Sequence, residues 1–391
     1  MRVLHLATSF PTGPDSFAGA FVHQLVAAQV GLSLACTVLT PAGPYPAEWP
    51  PLYPVRRFRY APWSLQRLAQ QPGGMPAALQ AQPLLFTLLS VPFFAAMAVS
   101  LIREGKQHDL IHAHWSICGA LAVLTRPLHG RPVVTTLRGS DVHFARDRTA
   151  FRFLLNRAVR GSALVVGVSK GMVNDLHRRF VEIEEKCRFV PNGVDERYFR
   201  IPLERARENR PLRILFIGSL LSLKGIDVLI RALGRIREQP WTLTLVGDGP
   251  QRSQLQELAG REQVAERVTF RGAVAPAEIA GIIADHHLLV LPSYREGLPN
   301  VVLESMAAGL AVVASDIDGC RELIDDGKSG WLFPPGDVEK LAALLRTIVA
   351  GNIDLLQAGK WARAELLRRG LTWRNTAEQY ISLYHNVLGR A

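Results

Sequence analysis

Two glutamates flank a short apolar turn in REGLPNVVLE, the segment that spans residues 295–304. Glu296 comes directly before Gly297, and Glu304 follows about one turn into a predicted helix. The backbone amides of Leu298–Asn300 would then lie at the helix N-terminus, where free N–H groups and the helix dipole attract anions. This pattern predicts that the amides hold a diphosphate, that Glu304 accepts hydrogen bonds from two ribose hydroxyls, and that Glu296 faces a sugar.

Both carboxylates also have a simpler interpretation. Glu304 could merely complement the helix dipole, and Glu296 could be a solvated loop residue. For two isolated glutamates this interpretation would be the better one, so the hypothesis depends on what the other turns contain. We expect Pro299 in the first turn of the helix and Asn300 as its capping residue.

Two further turns carry residues that suit an anionic ligand. Gly218 ends a predicted strand and lets the backbone approach a ligand, and Lys224 follows near the start of the next helix, where it could bind a phosphate. A solvated surface lysine is an equally good interpretation of Lys224 alone. Gly247, in VGDGP, marks a tight turn after another strand. Neither GxxxxGK[ST] nor a GxGxxG after the first strand is present in the sequence, which argues against a P-loop and weakens a dehydrogenase interpretation.

Short apolar runs alternate with helical patterns along the whole chain. In the first half the predicted strands are RVLHLATS, LACTVLT, DLIHAH, PVVTTLRGS and ALVVGVS. In the second half they are LRILFIGSL, WTLTLVGDG, RVTFRG, HLLVLPS and LAVVASD. The predicted helices include GAFVHQLVAAQV, GIDVLIRALGRIREQ, QRSQLQELAGRE and the terminal LTWRNTAEQYISLYHNVL.

Strands that alternate with helices predict an α/β fold, with parallel sheets covered by helices on both faces. The charged, proline-containing segment 195–211 suggests a boundary between two doubly wound, Rossmann-like domains. We assign residues 1–200 and 201–370 to these domains and 371–391 to a helix that crosses back to the first. Two such domains that face each other would form an interdomain cleft, with ligands outside the carboxyl ends of the strands.

The charge of the chain is uneven. Its 45 basic and 34 acidic side chains leave a net charge of +11, of which +10 falls in residues 1–200. A basic half suggests an anionic partner, although a generally arginine-rich composition would have the same effect. The positive residues are dispersed and the sequence has no helix-turn-helix pattern, which argues against nucleic acid. Four scattered cysteines without a CxxC pair argue against a zinc site or a disulfide framework.

One long stretch lacks charge. No charged residue occurs between Arg67 and Arg103, and Pro83–Ile102 is about as long as a membrane span. Because Pro83 and Pro92 interrupt it, we expect a buried or interfacial pair of helices in preference to a true span. If the segment lies on a membrane, its basic surroundings would attract anionic headgroups.

The order and spacing of these turns resemble those of the large retaining glycosyltransferase family 4, whose members have the GT-B fold. The resemblance covers nearly the whole chain. It is carried, in order, by SFPTGPDSFAGAFVHQL, DLIHAH, VSKGMVNDL, VPNGVDERYF, GSLLSLKG, LVGDGP, FRGAV, VLPSYREGLPNVVLESMAAGLAVVAS and DGCRELIDDGKSGWLFPPGD. Each fragment is weak alone, but their shared order is specific.

The resemblance implies a role for each matching position. It implies metal-independent transfer with retention of anomeric configuration, by same-face displacement in which the leaving phosphate helps to deprotonate the acceptor hydroxyl. A lysine and a helix N-terminus would neutralise the charge that builds on the leaving diphosphate. The residues expected in catalysis are Glu296, Lys224 and Arg138. The residues expected to bind the donor are Gly19, Gly218, Ser219, Lys224, Gly247, Glu296, Gly297, Leu298, Pro299, Asn300 and Glu304.

Two positions depart from the family pattern. In TTLRGSD, Arg138 stands where the family often has a histidine that touches the donor sugar. Arg138 could instead meet a charged sugar, a phosphate or an acceptor group. Ser219 stands in a turn that often reads Gly-Arg-Leu, so one positive charge near the diphosphate is missing. Lys224 or Arg138 would then compensate for that charge.

Two residue pairs have the types of metal ligands. Asp316 and Asp318 match the D-x-D of a different glycosyltransferase fold, but they lie in a predicted loop. His112 and His114 share one face of a strand, with no third ligand apparent nearby. We therefore expect no metal, one buried histidine, and His114 at the cleft as an acceptor contact. Trp115 beside it could stack on an acceptor sugar or pack in the core, and Arg138 is the third expected acceptor contact.

Together these features predict an enzyme that moves a sugar from a nucleotide-diphosphate sugar to a glycan or lipid-linked saccharide acceptor, in bacterial cell-surface polysaccharide biosynthesis. UDP or GDP is the expected nucleotide, and no cofactor is expected. We expect a cytoplasmic protein that associates with the inner face of the plasma membrane through residues 83–102 and its basic first domain. The alternatives are a GT-B nucleotide-sugar epimerase or phosphorylase, and a non-catalytic nucleotide-sugar binding protein.

Overall fold

The computed structural model describes residues 1–13, 16, 18–43, 52–66, 68, 83–203 and 211–389. Parts of two predicted features, 204–210 in the boundary segment and 69–82 in the uncharged stretch, lie outside these residues. Contacts divide the chain into two compact units. The first unit contains Met1–Gly193 and Trp373–Ala391, and the second contains Val194–Thr372.

In the first unit, seven described strands form one parallel sheet in the order β3-β2-β1-β4-β5-β6-β7. Its strands are β1 (Arg2–Leu6), β2 (Ala35–Pro41), β3 (Val55–Phe58), β4 (Leu110–His114), β5 (Val133–Leu137), β6 (Leu164–Gly167) and β7 (Cys187–Phe189). Its α-helices are α1 (Ala20–Gly31), α2 (Pro83–Gly105), α3 (Trp115–His129), α4 (Ser140–Asp147), α5 (Thr149–Gly161), α6 (Lys170–Arg179) and a C-terminal helix, Trp373–Val387. Two 3₁₀ turns, Trp63–Leu65 and Val181–Lys186, complete the described elements.

Each face of this sheet carries its own apolar core. On one face, side chains of α1 and of the C-terminal helix pack together, among them Leu25, Tyr380 and Tyr384. On the other face, Phe93 and Met97 of α2 pack with residues of α3 and β3. The strands are therefore buried on both sides, as parallel sheets require.

In the second unit, six described strands form a parallel sheet in the order β10-β9-β8-β11-β12-β13. Its strands are β8 (Leu212–Ile217), β9 (Trp241–Val246), β10 (Val268–Gly272), β11 (Leu288–Leu291), β12 (Ala311–Ser315) and β13 (Trp331–Phe333). Its α-helices are α7 (Glu196–Phe199), α8 (Ile226–Gly234), α9 (Arg252–Arg261), α10 (Ile279–Ala284), α11 (Asn300–Ala307), α12 (Asp318–Arg321), α13 (Val338–Val349) and α14 (Leu355–Arg368). The C-terminal helix is α15, and Ser222–Lys224 and Ala265–Arg267 are 3₁₀ turns.

All ten predicted strands are present, which confirms the α/β fold with parallel sheets. The sequence analysis missed three strands: β3, β7 and β13. Each of the three lies at an edge of its sheet and has only three or four residues. Edge strands are half solvated and short, so they lack the continuous apolar run that marks a central strand.

The uncharged segment is one helix, α2, and the predicted pair of helices was wrong. Pro92 lies inside α2 and removes one backbone hydrogen bond. Buried residues at four-residue spacing, Leu89, Phe93, Met97 and Leu101, hold the helix on the sheet across the proline. By length and composition alone, α2 could cross a membrane, and 22% of its most apolar window is buried inside the protein.

Both sheets reverse their strand order next to their first strand. The reversal lies between β1 and β4 in the first sheet and between β8 and β11 in the second. The chain leaves these two strands in opposite directions across the sheet, which opens a crevice at their carboxyl ends. The turns that follow β1, β4, β8 and β11 are therefore the positions where each unit can hold a ligand.

Truncation of a side chain on the buried face of α2 is expected to destabilise the protein much more than truncation on its exposed face. Phe93 is fully buried and contacts the rings of Phe58 and Tyr60 edge-to-face, so Phe93→Ala is expected to lower the free energy of unfolding by about 3–5 kcal/mol. Leu88 is 74% exposed on the same helix, and Leu88→Ala is expected to change it by less than about 0.5 kcal/mol. Chemical unfolding of both variants measures the difference, and equal losses would contradict the assigned orientation of α2.

Candidate functional site

In the second unit, the turns after β8 and β11 bring Lys224 and Glu296 together. The Lys224 Nζ lies 2.6 Å from the Glu296 Oε1, and both side chains are mostly buried, with 20% and 14% exposed. Ser293, which is fully buried after β11, donates a second hydrogen bond to the same Oε1 at 2.7 Å. The two residues were predicted to contact different parts of one ligand, and the structure joins them directly.

Backbone contacts hold these two turns against each other. Gly225, which follows Lys224, has φ +62°, and a Cβ atom there would collide with the carbonyl oxygen of Pro292. The N–H of Tyr294 donates to the carbonyl of Leu223 at 2.9 Å. Only glycine combines a positive φ with this close approach. The position of Lys224 therefore depends on a backbone junction that tolerates little movement.

The predicted glycine turns lie beside this junction. The N–H of Gly218 bonds to the carbonyl of Val246 at 2.9 Å, and a Cβ on Gly247 would collide with the Gly218 carbonyl oxygen. Ser219, which directly follows Gly218, is half-buried. These glycines thus join the turn after β9 to the turn after β8, close to Lys224.

Helix α11 begins immediately after the Glu296 turn. Its N-cap residue is Pro299, and Asn300, the residue that we expected as the cap, is the first helical residue. That expectation was wrong because Pro299 adopts an extended conformation and leaves Asn300 inside the helix. Among the described residues, no side chain caps this end of the helix. Leu298 is buried beneath the turn, and Gly297 is half-buried.

Glu304 lies one turn into α11, on a helix that packs against α7. Burial raises the pKa of its carboxyl group to about 7, while Arg197 lowers that pKa and Asp195 raises it. A carboxyl group in this state ionises near neutral pH. It can then accept two hydrogen bonds, which is what a vicinal diol offers.

In the first unit, Arg138 follows β5 and is held from three sides. Its Nη1 donates to Asn192 Oδ1 at 2.9 Å, and its Nη2 donates to His114 Nδ1 at 3.2 Å. The guanidinium also lies over the ring of Phe21, 4.1 Å from the centroid. The side chain is thereby fixed in direction as well as in position.

The histidines differ from their prediction. His112 and His114 are both fully buried, so the expectation that His114 stands open in a cleft was wrong. Residues two apart on a strand share a face, and here that face is covered. A third histidine, His5, was missed: it pairs with His112 across β1 and β4 and is also fully buried. The three rings form a group whose nitrogen atoms lie within 4.8 Å of one another.

Trp115 directly follows β4. Gly19 lies at the end of the loop that follows β1. Trp115 begins α3 with φ +68°, a left-handed conformation that costs a bulky residue about 1–3 kcal/mol. Its indole meets Phe21 edge-to-face at 5.5 Å. Gly19 is the N-cap of α1, the helix that contains Phe21 in its first turn. Trp115, Phe21 and Arg138 therefore form one contiguous group.

The D-x-D pair has a local partner. Arg321 binds the carboxylate of Asp316 through two nitrogens and contacts Asp318 at 3.3 Å. This arginine already neutralises much of the charge that would attract a cation.

Several contact residues escaped the sequence analysis. Phe21, Asn192 and His5 lie close to a predicted site residue only in the folded chain, whereas Ser293 is also three positions from Glu296 in the sequence. Ser293 and Asn192 stand within quoted segments, VLPS and VPNG, so their position after a strand was a usable signal. His5 and Phe21 gave none, because their partners lie about a hundred residues away in the chain.

The two parallel sheets and their strand-end turns define an α/β architecture, and comparison with known proteins assigns the family. Residues 18–198 match the model of Glycosyltransferase Family 4, and residues 211–350 match that of Glycosyl transferases group 1. The chain therefore belongs to the glycosyltransferases of family 4 and has the GT-B fold.

Relatives with assigned names share a quarter of the sequence. The N-acetyl-alpha-D-glucosaminyl L-malate synthase of Bacillus anthracis is 25% identical over 76% of this chain and 80% of its own. The amylovoran biosynthesis glycosyltransferase AmsK of Erwinia amylovora is 28% identical over 69% of each chain. Anabaena Alr3699/HepE, solved in complex with UDP-glucose, superposes with a TM-score of 0.77 at 20% identity over 99% of this chain and 100% of its own.

The raised pKa of Glu304 predicts a pH-dependent stability. Because the folded-state pKa of about 7 exceeds the ordinary carboxyl value of 4.5, the folded chain binds more protons between these two pH values. The resulting stabilisation is complete below about pH 4.5 and is lost as the pH rises through 7. Glu304→Gln cannot ionise, so its stability relative to the wild type should rise between pH 5 and 8, by about 3 kcal/mol at most.

Unfolding of both proteins at several pH values measures this difference. Glu257→Gln, which changes an exposed carboxylate on α9, is the matched control and should show no such trend. A pH-independent difference between wild type and Glu304→Gln would contradict the buried, raised-pKa environment.

Proposed function

We propose that this glycosyltransferase moves a sugar from a nucleotide-diphosphate sugar to a saccharide acceptor, with retention of configuration and without a metal. The observation that carries the proposal is the Lys224–Glu296 ion pair at the point where the second sheet reverses its strand order. This is the position where open α/β sheets bind their ligands. The solved complex of Anabaena Alr3699/HepE with UDP-glucose supports this donor class, and UDP or GDP is the proposed nucleotide.

The donor would contact residues at the carboxyl ends of the second sheet. The diphosphate would lie between Lys224 and the first amides of α11, and Glu304 would accept the ribose hydroxyls. Glu296 would face the transferred sugar. Gly218, Ser219 and Gly247 would let the backbone approach the phosphates. The ion pair supports this arrangement, because it fixes the Lys224 amine before any ligand arrives, and fixed charges cost no reorganisation during the reaction.

The chemistry follows from what these groups can neutralise. When the bond between the anomeric carbon and the phosphate oxygen breaks, negative charge builds on the leaving diphosphate. Lys224 and the amides of α11 would stabilise that charge, which is the task that a metal performs elsewhere. The leaving phosphate would take the proton of the acceptor hydroxyl on the same face of the sugar, so configuration would be retained.

The acceptor would contact the first unit. Arg138 presents a fixed cation, and Trp115 and Phe21 offer aromatic surface beside it. A cation next to rings suits a saccharide that carries a phosphate or carboxylate. Because His114 is fully buried, we propose no direct contact between it and the acceptor.

The acceptor pathway is proposed to be cell-surface polysaccharide synthesis at the cytoplasmic face of a membrane. AmsK, a relative named for amylovoran biosynthesis, supports the polysaccharide part. The outer face of α2 exposes Leu84, Leu88, Val91 and Val99 and carries no charge before Arg103. An apolar face on a unit with a net charge of about +10 suits an anionic bilayer and a lipid-linked acceptor.

The donor assignment predicts both a preferred nucleotide and a dependence on Lys224. Purified protein is assayed for sugar transfer and for nucleotide-induced thermal shift with UDP, GDP and ADP sugars, with and without EDTA. We expect one nucleotide to raise the melting temperature and support transfer, with both unaffected by EDTA. Lys224→Met should lower kcat by about 10²–10³-fold, because it removes a charge that stabilises the leaving group.

The matched control is Lys340→Met, which removes an exposed lysine from α13. It should leave kcat unchanged. Loss of activity in EDTA that is restored by a divalent cation would contradict the metal-free mechanism. Full activity of Lys224→Met would contradict the role of the ion pair, and no transfer or shift with any nucleotide would contradict the proposed function.

The exposed face of α2 predicts membrane binding that an introduced carboxylate weakens. Wild-type protein should cosediment with vesicles that contain anionic lipid, and binding should weaken as salt rises. Leu88→Glu and Val91→Glu should each reduce the bound fraction severalfold, because they place a carboxylate in the contact surface. Val181→Glu, at an exposed apolar residue outside α2, is the matched control. Equal binding of all four proteins would contradict this surface.

A further inference from the structure

A buried polar cluster lies beneath Arg138 in the first unit, and the proposed function assigns no role to it. Its centre is the three fully buried imidazoles of His5, His112 and His114. The ring centroids of His112 and His114 are 4.3 Å apart, and those of His5 and His112 are 5.0 Å apart. Burying three titratable rings together costs free energy unless each finds hydrogen-bond partners. The directions of those hydrogen bonds decide what the cluster can do.

Three neighbouring histidines first suggest a metal site, but the partners of His112 oppose it. The Gln29 Nε2 donates to the Tyr384 hydroxyl at 3.0 Å, and we assign the Tyr384 proton to the hydrogen bond with His112 Nδ1, 2.6 Å away. His112 then carries its proton on Nε2 and donates to Thr136 Oγ1 at 2.7 Å. Neither nitrogen has a lone pair left for a metal. The positive charge of Arg138 beside His114 further disfavours a cation.

A second chain of hydrogen bonds starts at Arg138 itself. A guanidinium can only donate, so His114 Nδ1 must accept from Arg138 Nη2. His114 therefore carries its proton on Nε2 and donates to His5 Nδ1, 3.2 Å away. His5 in turn carries its proton on Nε2. The charge on Arg138 thus sets the tautomer of two buried rings in succession.

This series of hydrogen bonds from Arg138 to His5 can form only while the rings are neutral. Burial lowers the pKa of His114 and of His112 well below the ordinary range, and neighbouring histidines and Arg138 lower both further. Burial also lowers the pKa of His5 to about 3. A protonated His114 would lose the lone pair that Arg138 uses and would repel the guanidinium. The low pKa values keep the acceptor available across the physiological range.

We propose that His114, supported by His5, is a positioning residue that directs the Arg138 guanidinium toward the acceptor. Asn192 binds Nη1, the Phe21 ring covers one face of the guanidinium, and His114 binds the other terminal nitrogen, Nη2. The inference rests on the proposed function, because it assigns to the cluster the task of orienting a group that binds the acceptor. The cluster itself touches no substrate.

The test compares two replacements of His114 in the full-length protein. Asn places its Oδ1 near the position of the imidazole Nδ1, so His114→Asn retains an acceptor for Arg138, whereas His114→Leu removes it. His114→Leu should lower kcat by about 10–100-fold and raise the KM for the acceptor, because small misplacements of a binding group are costly in catalysis. His114→Asn should recover most of that loss. The affinity for the donor nucleotide should change less than twofold in both.

The matched control is His129→Leu, which removes another buried histidine of the first unit, one that bonds the Ala122 carbonyl at 2.9 Å. It should lower the melting temperature and leave kcat and the acceptor KM unchanged. Unchanged kinetics of folded His114→Leu, equal losses in the Leu and Asn variants, or a parallel loss of nucleotide affinity would each overturn the proposal. An inactive wild type would instead contradict the proposed function.

A measurement without turnover tests the same tautomers and does not depend on variants that fold. In wild-type protein with ¹⁵N-labelled histidine, NMR between pH 6 and 8 should show the rings of His5, His112 and His114 as neutral, Nε2-protonated imidazoles. A Nδ1-protonated or charged His114 would overturn the proposal. A perturbation of all three rings by stoichiometric Zn²⁺ would overturn it in favour of a metal site.

Discussion

The constraint on which the structure depends is that each parallel sheet reverses its strand order beside its first strand. Parallel neighbours need crossover connections, so most of the described strands end in a turn that leads to a helix. Where the order reverses, the chain leaves two neighbouring strands in opposite directions. A crevice therefore stays open between their turns, and polar groups of the turns can face a ligand there. Lys224 and Glu296 stand at one such point. His114 is the last residue of β4, the corresponding strand in the other unit, and bonds Arg138.

The Lys224–Glu296 ion pair contributes more to the fixed position of the Lys224 amine than to the stability of the fold. Both side chains are mostly buried, and a buried ion pair returns little of what its desolvation costs. Ser293 adds a hydrogen bond to the carboxylate, and Gly225 holds the two turns in contact. The folded chain therefore maintains a fixed ammonium group at the end of β8. A diphosphate that binds there would exchange one anionic partner of Lys224 for another, without a large movement of the side chain.

In the first unit the cation is Arg138, which contacts a buried imidazole. Arg138 has neutral hydrogen-bond acceptors in His114 and Asn192 and an aromatic face in Phe21. These groups orient the guanidinium but do not cancel its charge, which stays available for a substrate. The C-terminal helix takes part in the same interior, since Tyr384 bonds His112 and Tyr380 bonds Thr136 at 2.9 Å. The last residues of the chain thus complete the polar core of the unit that contains the first.

The sequence by itself determined the strand and helix types and the turns that carry chemistry. Nine of the ten predicted strands are central in their sheets and were predictable because both of their faces are buried, which produces continuous apolar runs. The short edge strands were not, because a half-solvated strand of three or four residues has no such run. The α11 segment was recognisable as a strand, turn and helix, but its N-cap was misassigned by one residue, since proline and asparagine both suit a helix start.

Only the tertiary structure decided which of these residues meet. Lys224 and Glu296 are 72 residues apart, and Arg138 and His114 are 24 apart, so no local pattern shows either contact. The single helix α2 was also a tertiary result, because packing of Phe93 and Met97 on the sheet outweighs the local effect of Pro92. Local sequence sets the backbone preference of each segment. Burial, hydrogen-bond direction and ionisation arise only where distant segments come together and exclude water.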